Sequence, residues 1–101
     1  MKYKIRYMPE ASNDLEEIRL YLSQYYESTV KNFFRLLKKK IELLKDNPFI
    51  CATYDDDPDF RVQSVGNYLV FYIINEDDKK VEIHRMFHGS RDIRRHLAGQ
   101  P

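Results

Sequence analysis

The segment Tyr68–Ile74 constrains the fold more than any other part of the chain, because every one of its residues is apolar. Such a run is typical of a central strand that is buried on both faces. The segments on either side, Phe60–Val65 and Lys80–His88, alternate polar and apolar residues, which predicts two further strands. Gly66-Asn67 and the polar residues 76–79 separate the three segments as turns, and glycine readily supplies the positive φ of a two-residue turn. The second half of the chain therefore predicts a three-strand antiparallel meander.

The first half predicts one strand followed by two helices. Residues 2–8 alternate, and Pro9 suits the first turn of a helix, where its missing N–H is no loss. The apolar spacing then becomes helical, and the first stripe consists of Ala11, Leu15, Ile18, Leu22 and Tyr25. After a short connection, with Ser28 or Thr29 as the expected N-cap, a second helix begins. Its stripe consists of Val30, Phe33, Phe34, Leu37, Ile41 and Leu44.

The second helix is expected to end at Asp46-Asn47-Pro48, since proline cannot continue a helix. Two amphipathic helices joined by so short a turn predict an antiparallel hairpin, and the hairpin needs a sheet face to cover. The predicted fold class is α+β: both helices pack on one face of a sheet of about four strands, and the opposite face stays partly open. Residues 49–59 are interpreted as a loop and residues 91–97 as a short C-terminal helix. The length of 101 residues predicts a single domain over residues 1–101.

Composition excludes several classes of protein. Lys and Arg number 17 against 16 Asp and Glu, and this net charge of +1 argues against a broad phosphate-binding surface. The single cysteine, Cys51, cannot form an internal disulfide. No apolar run approaches the roughly 20 residues that span a bilayer. We therefore expect a small cytoplasmic protein without a membrane segment.

The last predicted strand carries most of the candidate chemistry. Strict alternation predicts that Glu82, His84, Met86 and His88 share one side, which is interpreted as a partly solvated outer face rather than an acid/base or metal site. A zinc site would lack a third ligand, because Cys51 lies on a distant loop. Arg85 is predicted on the other side with Val81, Ile83 and Phe87. A buried arginine needs a partner, and Asp14 or Glu17 of the first helix is the expected one.

Three further groups of residues are read as surface. The acidic cluster Asp55, Asp56, Asp57 and Asp59 lacks the glycine and the closing glutamate of an EF-hand loop, so neither a metal nor another cofactor is expected. The polar face of the second helix carries Lys31, Arg35, Lys38, Lys39 and Lys45, and is interpreted as solvated or as a contact for an acidic partner. Tyr21, Tyr26 and Tyr54 lie off the core stripes or on a loop. They are candidates for a protein interface, or else half-buried tyrosines with solvated hydroxyls.

Three blocks of sequence resemble the ParE/RelE toxin superfamily of bacterial type II toxin–antitoxin systems. The blocks occur in family order: Pro9-Glu10-Ala11-x-x-Asp14-Leu15-x-x-Ile18, then Phe60-Arg61-x-x-x-Val65-Gly66-Asn67-Tyr68-Leu69-Val70-Phe71-Tyr72, then Val81-Glu82-Ile83-x-Arg85-Met86-Phe87-His88-Gly89-x-Arg91-Asp92-Ile93. The resemblance covers nearly the whole chain and implies the fold predicted above. RelE-like members are ribonucleases that cut messenger RNA in the ribosome, whereas ParE-like members resemble poisons of DNA gyrase. The His88-Gly89-x-Arg91-Asp92 end is similar to the ParE branch.

The nuclease alternative requires particular residues at particular positions. A metal-free ribonuclease needs acid/base groups and cations near the phosphate, and the candidates are Arg61, His88 and Arg91. Arg91 matches a phosphate-binding arginine of the RelE-like pattern. Leu69 stands where that pattern prefers arginine, and Leu97 stands where it carries a C-terminal tyrosine. Leucine can neither bind a phosphate nor transfer a proton, so these positions favour the ParE-like reading.

The resemblance implies a toxin that inhibits DNA gyrase by binding, with no catalytic residue. The expected partner is a cognate antitoxin, ParD-like or another short DNA-binding protein, in a heteromeric toxin–antitoxin complex. The expected target-binding residues are His88, Arg91, Arg94 and Arg95, and the expected antitoxin-binding residues are Tyr21, Tyr26 and Tyr54. A ribosome-dependent endonuclease is the alternative. An inert member that only binds its antitoxin is a third reading.

Overall fold

The computed structural model describes residues 2–89. Within this range the elements are β1 (Lys4–Tyr7), α1 (Pro9–Leu22), α2 (Glu27–Asp46), a 3₁₀ turn (Pro48–Ile50), β2 (Thr53–Tyr54), β3 (Asp57–Val65), β4 (Tyr68–Asn75) and β5 (Lys80–His88). The strands form one sheet in the order β1-β5-β4-β3-β2, in which β1 is parallel to β5 and the other neighbours are antiparallel. The helical hairpin packs on this sheet, so the predicted α+β class is confirmed. The predicted C-terminal helix lies outside the described residues.

Helix α1 follows the prediction except at its end. Pro9 occupies the first turn, and Ala11, Asp14 and Ile18 are buried. The helix stops at Leu22, and Ser23 forms the cap. The Ser23 N–H donates to the Arg19 carbonyl oxygen, and the Gln24 N–H donates to the Tyr21 carbonyl oxygen. Tyr25 therefore lies beyond the helix and is exposed, so its predicted place on the core stripe is wrong.

Helix α2 buries Phe33, Leu37, Ile41 and Leu44, as its apolar stripe predicts. It begins one residue before Ser28, with Tyr26 at the N-cap position and no side-chain cap, so the predicted capping by Ser28 or Thr29 is wrong. It ends at Asp46 as predicted, and the Asn47 Oδ1 atom accepts a hydrogen bond from the Phe49 N–H. Neither helix of residues 2–89 is both long and apolar enough to cross a bilayer.

The core lies between the hairpin and the sheet. Helix residues Phe33, Leu37 and Leu44 meet Val70 and Tyr72 of the central strand β4. Tyr72 is fully buried, and its hydroxyl donates to the Pro48 carbonyl oxygen at 2.7 Å. A buried hydroxyl without a partner would cost free energy, so this bond stabilises the core. It also links the 3₁₀ turn after α2 to the central strand of the sheet.

The segment 49–59, predicted as a loop, contains regular structure and adds a fifth strand to the sheet of the described chain. Thr53 and Tyr54 pair with β3, and the pairing of Tyr54 with Asp57 leaves Asp55 and Asp56 as the turn. The strand β2 is an edge strand of two residues, too short to show alternation. Its formation depends on the neighbouring strand β3 rather than on its own sequence.

A β-bulge in β5 overturns the predicted sides of that strand. Tyr72 pairs with Ile83 and Phe71 pairs with Arg85, so His84 is an extra residue. A bulge shifts the alternation by one position, and every later side chain changes face. Met86 thus joins Val81 and Ile83 in the core, whereas Phe87 packs against Phe71 on the face away from the helices.

The face away from the helices is buried at its centre rather than open. Phe71 and Phe87 are 0% and 1% exposed. The Tyr54 and Phe60 rings pack edge-on against Phe71, and the His84 ring packs against Phe60. This aromatic cluster is a second, smaller core, so the expected open face is limited to the half-buried residues around it.

Candidate functional site

A partly buried ion pair joins α1 to β5. Arg85 Nε donates to Asp14 Oδ2 at 2.8 Å, and Arg85 Nη2 donates to Asp14 Oδ1 at 3.1 Å. The Met86 backbone N–H donates to Asp14 Oδ2 at 3.0 Å. Strand β1 ends at Tyr7, opposite Ile83. Beyond that point the Asp14 carboxyl group, instead of a neighbouring strand, accepts the hydrogen bond from the Met86 N–H of β5. The predicted pairing of Arg85 with an acidic residue of the first helix is confirmed for Asp14.

The electrostatics around Arg85 are dominated by acidic groups. The hydrogen bonds to Asp14 raise the pKa of the Arg85 guanidinium above its ordinary value. Burial acts against this rise, and the negative charges of Asp14, Glu10 and Glu17 add to it. This end of α1 therefore presents several carboxylates around one guanidinium.

A cavity of about 320 Å³ opens beside the ion pair, between α1 and the adjoining ends of β4 and β5. Its described walls are acidic and aromatic: Asp14, Glu17, Ile18, Tyr21, Tyr68, Met86, Phe87 and His88. The bulge in β5 places Met86 and His88 in the wall of this cavity. Without the shift at His84, alternation would have turned Met86 and His88 away from the helices.

His88 lies at the exposed end of β5, on the rim of this cavity. Its ring packs edge-on against Tyr68, with ring centroids 5.3 Å apart. The Gly89 N–H donates to the Asn67 carbonyl oxygen at 2.9 Å, which holds the end of β5 beside the Gly66-Asn67 turn. The other residues predicted for target binding, Arg91, Arg94 and Arg95, lie outside the described residues.

Arg61, the first residue of the nuclease alternative, is engaged elsewhere. Its Nη1 donates to the Cys51 carbonyl oxygen at 2.6 Å, and its guanidinium lies over the Phe49 ring at 5.1 Å. Arg61 pairs with Tyr72 of β4, whereas His88 pairs with Tyr68. These pairs are four residues apart along β4, which is about 14 Å of strand. The structure does not bring Arg61 and His88 together, and Arg91 lies outside the described residues.

The three tyrosines predicted for partner binding differ in their surroundings. Tyr21 and Tyr26 are 49% and 78% exposed, at the tip of the helical hairpin. Tyr54 is half-buried: its ring packs on Phe71 and its hydroxyl donates to Asp56 Oδ2. Their role in binding stays a prediction.

Sequence reasoning missed two groups of exposed apolar residues. Leu20 and Tyr25 join Tyr21 and Tyr26, and we call these four residues the hairpin-tip patch. The Tyr21 and Tyr25 hydroxyls lie 3.0 Å apart. Phe49 and Ile50 are exposed on the 3₁₀ turn. The Ser23-Gln24 pair before Tyr25 was the available signal that α1 stops early enough to expose the hairpin tip.

The predicted polar row of Glu82, His84 and His88 does not form. Glu82 and His84 are neighbours, with Oε1 and Nε2 3.6 Å apart, whereas the bulge puts His88 on the other face. In the described part of the chain, no three His, Cys, Asp or Glu side chains are grouped so that they could hold a metal ion.

Comparisons with known proteins relate the chain to one family. The family model described as the ParE toxin of the type II toxin–antitoxin system parDE matches residues 5–93. No curated protein sequence matches the chain.

Solved structures of toxin–antitoxin proteins share the fold at low sequence identity. The chromosomal ParDE system from P. aeruginosa gives a TM-score of 0.68 at 13% identity, covering 86% of this chain and 96% of that chain. The RelBE2 toxin–antitoxin complex from Mycobacterium tuberculosis gives 0.65 at 17% identity, covering 87% and 99%. A free-state mutant of the E. coli toxin RelE gives 0.65 at 14% identity, covering 92% and 90%.

These structures support the fold, and the family model covers most of the sequence, including the α1, β3–β4 and β5 blocks that carried the resemblance. The chain belongs to the ParE toxin family of type II toxin–antitoxin systems.

Proposed function

We propose that this toxin inhibits DNA gyrase by binding it and performs no chemistry itself. The main observation in support of this proposal is the separation of Arg61 from His88 along the sheet. RNA cleavage without a metal needs an acid/base group beside the cations that hold the phosphate. Arg61 donates instead to the Cys51 carbonyl and stacks on Phe49, far from His88.

The end of β5 is the proposed target-binding region. His88 is exposed and held by the Tyr68 ring, and the strand end is anchored through Gly89 to the adjacent turn. Arg91, Arg94 and Arg95 follow directly in the sequence and would add positive charge beside it. A fixed aromatic and imidazole surface, followed in the sequence by arginines, is suited to a protein interface.

An antitoxin is the proposed neutralising partner. Similar structures include the RelBE2 toxin–antitoxin complex and the ParDE system. The hairpin-tip patch supports this proposal, because Tyr21 and Tyr26 expose large rings that a partner chain could cover. Tyr54 contributes less in this proposal, since its ring already packs on Phe71.

The test measures both candidate activities of the purified chain. One reaction follows supercoiling by gyrase, and the other follows a reporter transcript in a translation extract by primer extension. We expect inhibition of supercoiling and an intact transcript. Cleavage at codon positions inside ribosomes would replace the proposal with the RelE-like endonuclease. If supercoiling continues and the transcript stays intact, the chain is an inert member that only binds its antitoxin.

A pair of triple variants localises the target-binding surface. Replacing Arg91, Arg94 and Arg95 by alanine should weaken gyrase inhibition at least about tenfold, because interface energy is concentrated in a few residues. Replacing Lys31, Lys38 and Lys39 of α2 removes the same charge from another exposed face and should leave inhibition unchanged. Equal losses in both variants would contradict the assignment.

A further inference from the structure

The cavity between α1 and the ends of β4 and β5 combines tyrosine residues with carboxylates among its described lining residues. Tyr21, Tyr68, Asp14 and Glu17 line it, whereas the Phe87 side chain is buried against Phe71 on the other face of the sheet. Among its described lining residues there is no lysine or arginine. Its volume of about 320 Å³ has room for one long side chain and is at the lower end of small-ligand pockets.

Within residues 2–89, Glu17 is the acidic group of the cavity that has no hydrogen-bonding or ion-pair partner. Asp14 is already paired with Arg85 and bonded to the Met86 N–H. Glu17 is exposed and makes no hydrogen bond or ion pair with any residue of the range 2–89. Since Glu10 and Glu17 both act on Arg85, three carboxylates surround one guanidinium in this part of the surface. The described residues of this part of the surface therefore carry a net negative charge, even though the whole chain carries +1.

A cationic side chain with an apolar stem matches both properties of the cavity. The faces of aromatic rings attract guanidinium and ammonium groups, and a carboxylate at the rim supplies the opposite charge. An anion would face Asp14 and Glu17, and a purely apolar group would bury the Glu17 carboxylate without a partner. We propose that this cavity binds an arginine or lysine side chain of a protein partner.

Continuity with the hairpin-tip patch indicates which partner segment carries the basic residue. Tyr21 belongs to the patch and also lines the cavity. A segment that covers Leu20, Tyr25 and Tyr26 can therefore reach the cavity with one long side chain. This inference rests on the proposed function in one respect, namely that the protein partner is the antitoxin.

The experiment titrates the full, isotope-labelled chain with acetyl-arginine methylamide and follows its backbone amide resonances. Acetyl-citrulline methylamide has the same shape without the charge and is the matched probe. We expect saturable shifts at Glu17, Tyr21 and Phe87 with the arginine probe, in about the millimolar range, and at least about fivefold weaker binding of citrulline. Glu17→Gln should weaken arginine binding about three- to tenfold, because it removes one opposite charge at close range. Glu76→Gln removes an exposed carboxylate at a distant turn and should change nothing.

Three results would overturn the inference. The first is equal binding of the arginine and citrulline probes, and the second is unchanged binding by the Glu17→Gln variant. The third is binding that becomes more than about tenfold tighter when Arg91, Arg94 and Arg95 are replaced by glutamine, since the chain's own arginines would then be the competing occupant. The gyrase assay is independent of these titrations, so a chain that binds the arginine probe but spares gyrase refutes the proposed target alone.

Discussion

Asp14 is buried, and three donors from Arg85 and Met86 converge on its carboxyl group. Removing one partner of such a pair leaves a charge without compensation in a poorly solvated place. Arg85 remains partly exposed, so water can recover some of its solvation. The pair thus links α1 directly to β5.

We predict that Asp14→Ala lowers the free energy of unfolding by about 2–4 kcal/mol, measured by urea denaturation. The control is Glu16→Ala, which removes the exposed carboxylate that pairs with Arg19 on the same helix. Solvent screens that surface pair, so the control should leave stability nearly unchanged. Similar midpoints for the two variants would show that Asp14 has no special role.

Tyr72 gives the protein a defined response to alkaline pH. Burial is the main cause that raises the pKa of the Tyr72 hydroxyl above its ordinary value of 10.0. The folded chain therefore keeps this proton to higher pH than the unfolded chain, so the contribution to stability is complete below pH 10 and declines as pH rises above it. The pKa of Tyr7 is raised by burial and that of Tyr25 by its hydrogen bond with Tyr21, so both act in the same direction.

Tyr72→Phe is expected to lower stability at neutral pH by about 1 kcal/mol, because the Pro48 carbonyl loses its donor. The same variant should flatten the alkaline decline, since the buried ionisable group is gone. Urea denaturation at a series of pH values measures both effects. A decline as steep as that of the parent chain would contradict the assignment to Tyr72.

At the scale of elements, the turn between β3 and β4 depends on one glycine. Gly66 has a φ of 60°, in the left-handed region, and it carries the chain from Val65 to Tyr68, which are paired neighbours. A Cβ at this position would meet only the Leu36 Cδ2 atom, at 3.7 Å, which is an ordinary contact. The constraint at Gly66 is therefore conformational rather than steric crowding by neighbours.

Gly66→Ala should destabilise the protein by about 1 kcal/mol in urea denaturation, which is the cost of a left-handed conformation for an ordinary residue. Gly89→Ala is the matched control. Its backbone lies outside the left-handed region, and its added Cβ would lie 3.5 Å from the Asn67 oxygen, so a much smaller change is expected. Equal effects would point to loss of packing or entropy at both sites instead.

At the scale of the whole molecule, the hairpin tip holds the largest group of exposed apolar residues in the range 2–89, and a smaller group lies on the 3₁₀ turn. The sheet face away from the helices has its own aromatic core around Phe71. The hairpin-tip patch and the cavity beside it lie on the same side of α1, since Tyr21 belongs to both. A partner of this toxin therefore has a localised apolar surface to cover.

We predict that the double variant Tyr21→Ser, Tyr26→Ser binds the cognate antitoxin at least about tenfold more weakly, because exposed aromatic anchors contribute much of an interface's energy. Co-expression with the cognate antitoxin, followed by competition binding, measures the change. Phe49→Ser, Ile50→Ser removes exposed apolar area from the 3₁₀ turn and is the control. If the control loses as much affinity as the double variant, the antitoxin covers a different surface.

The fold class, both helices, the three-strand meander and the partner of Arg85 could be predicted from local pattern. Apolar spacing identifies which face of α2 is buried, and a buried arginine demands an acidic partner wherever the chain runs. The short strand β2 could not be predicted, because two residues carry no period and pair only when β3 is present. The hairpin-tip patch was harder to predict than the fold, since the exposure of Tyr25 depends on where α1 stops.

What the amino-acid order alone determined is the set of elements, since hydrophobic period and turn chemistry act over a few neighbouring residues. What only the tertiary structure decided is the composition of each surface. The extra residue at His84 is visible only when β5 is aligned against β4, and it moves Met86 and His88 to the helix side and Phe87 to the other. A register shift is a property of two paired strands, so no reading of a single strand can contain it.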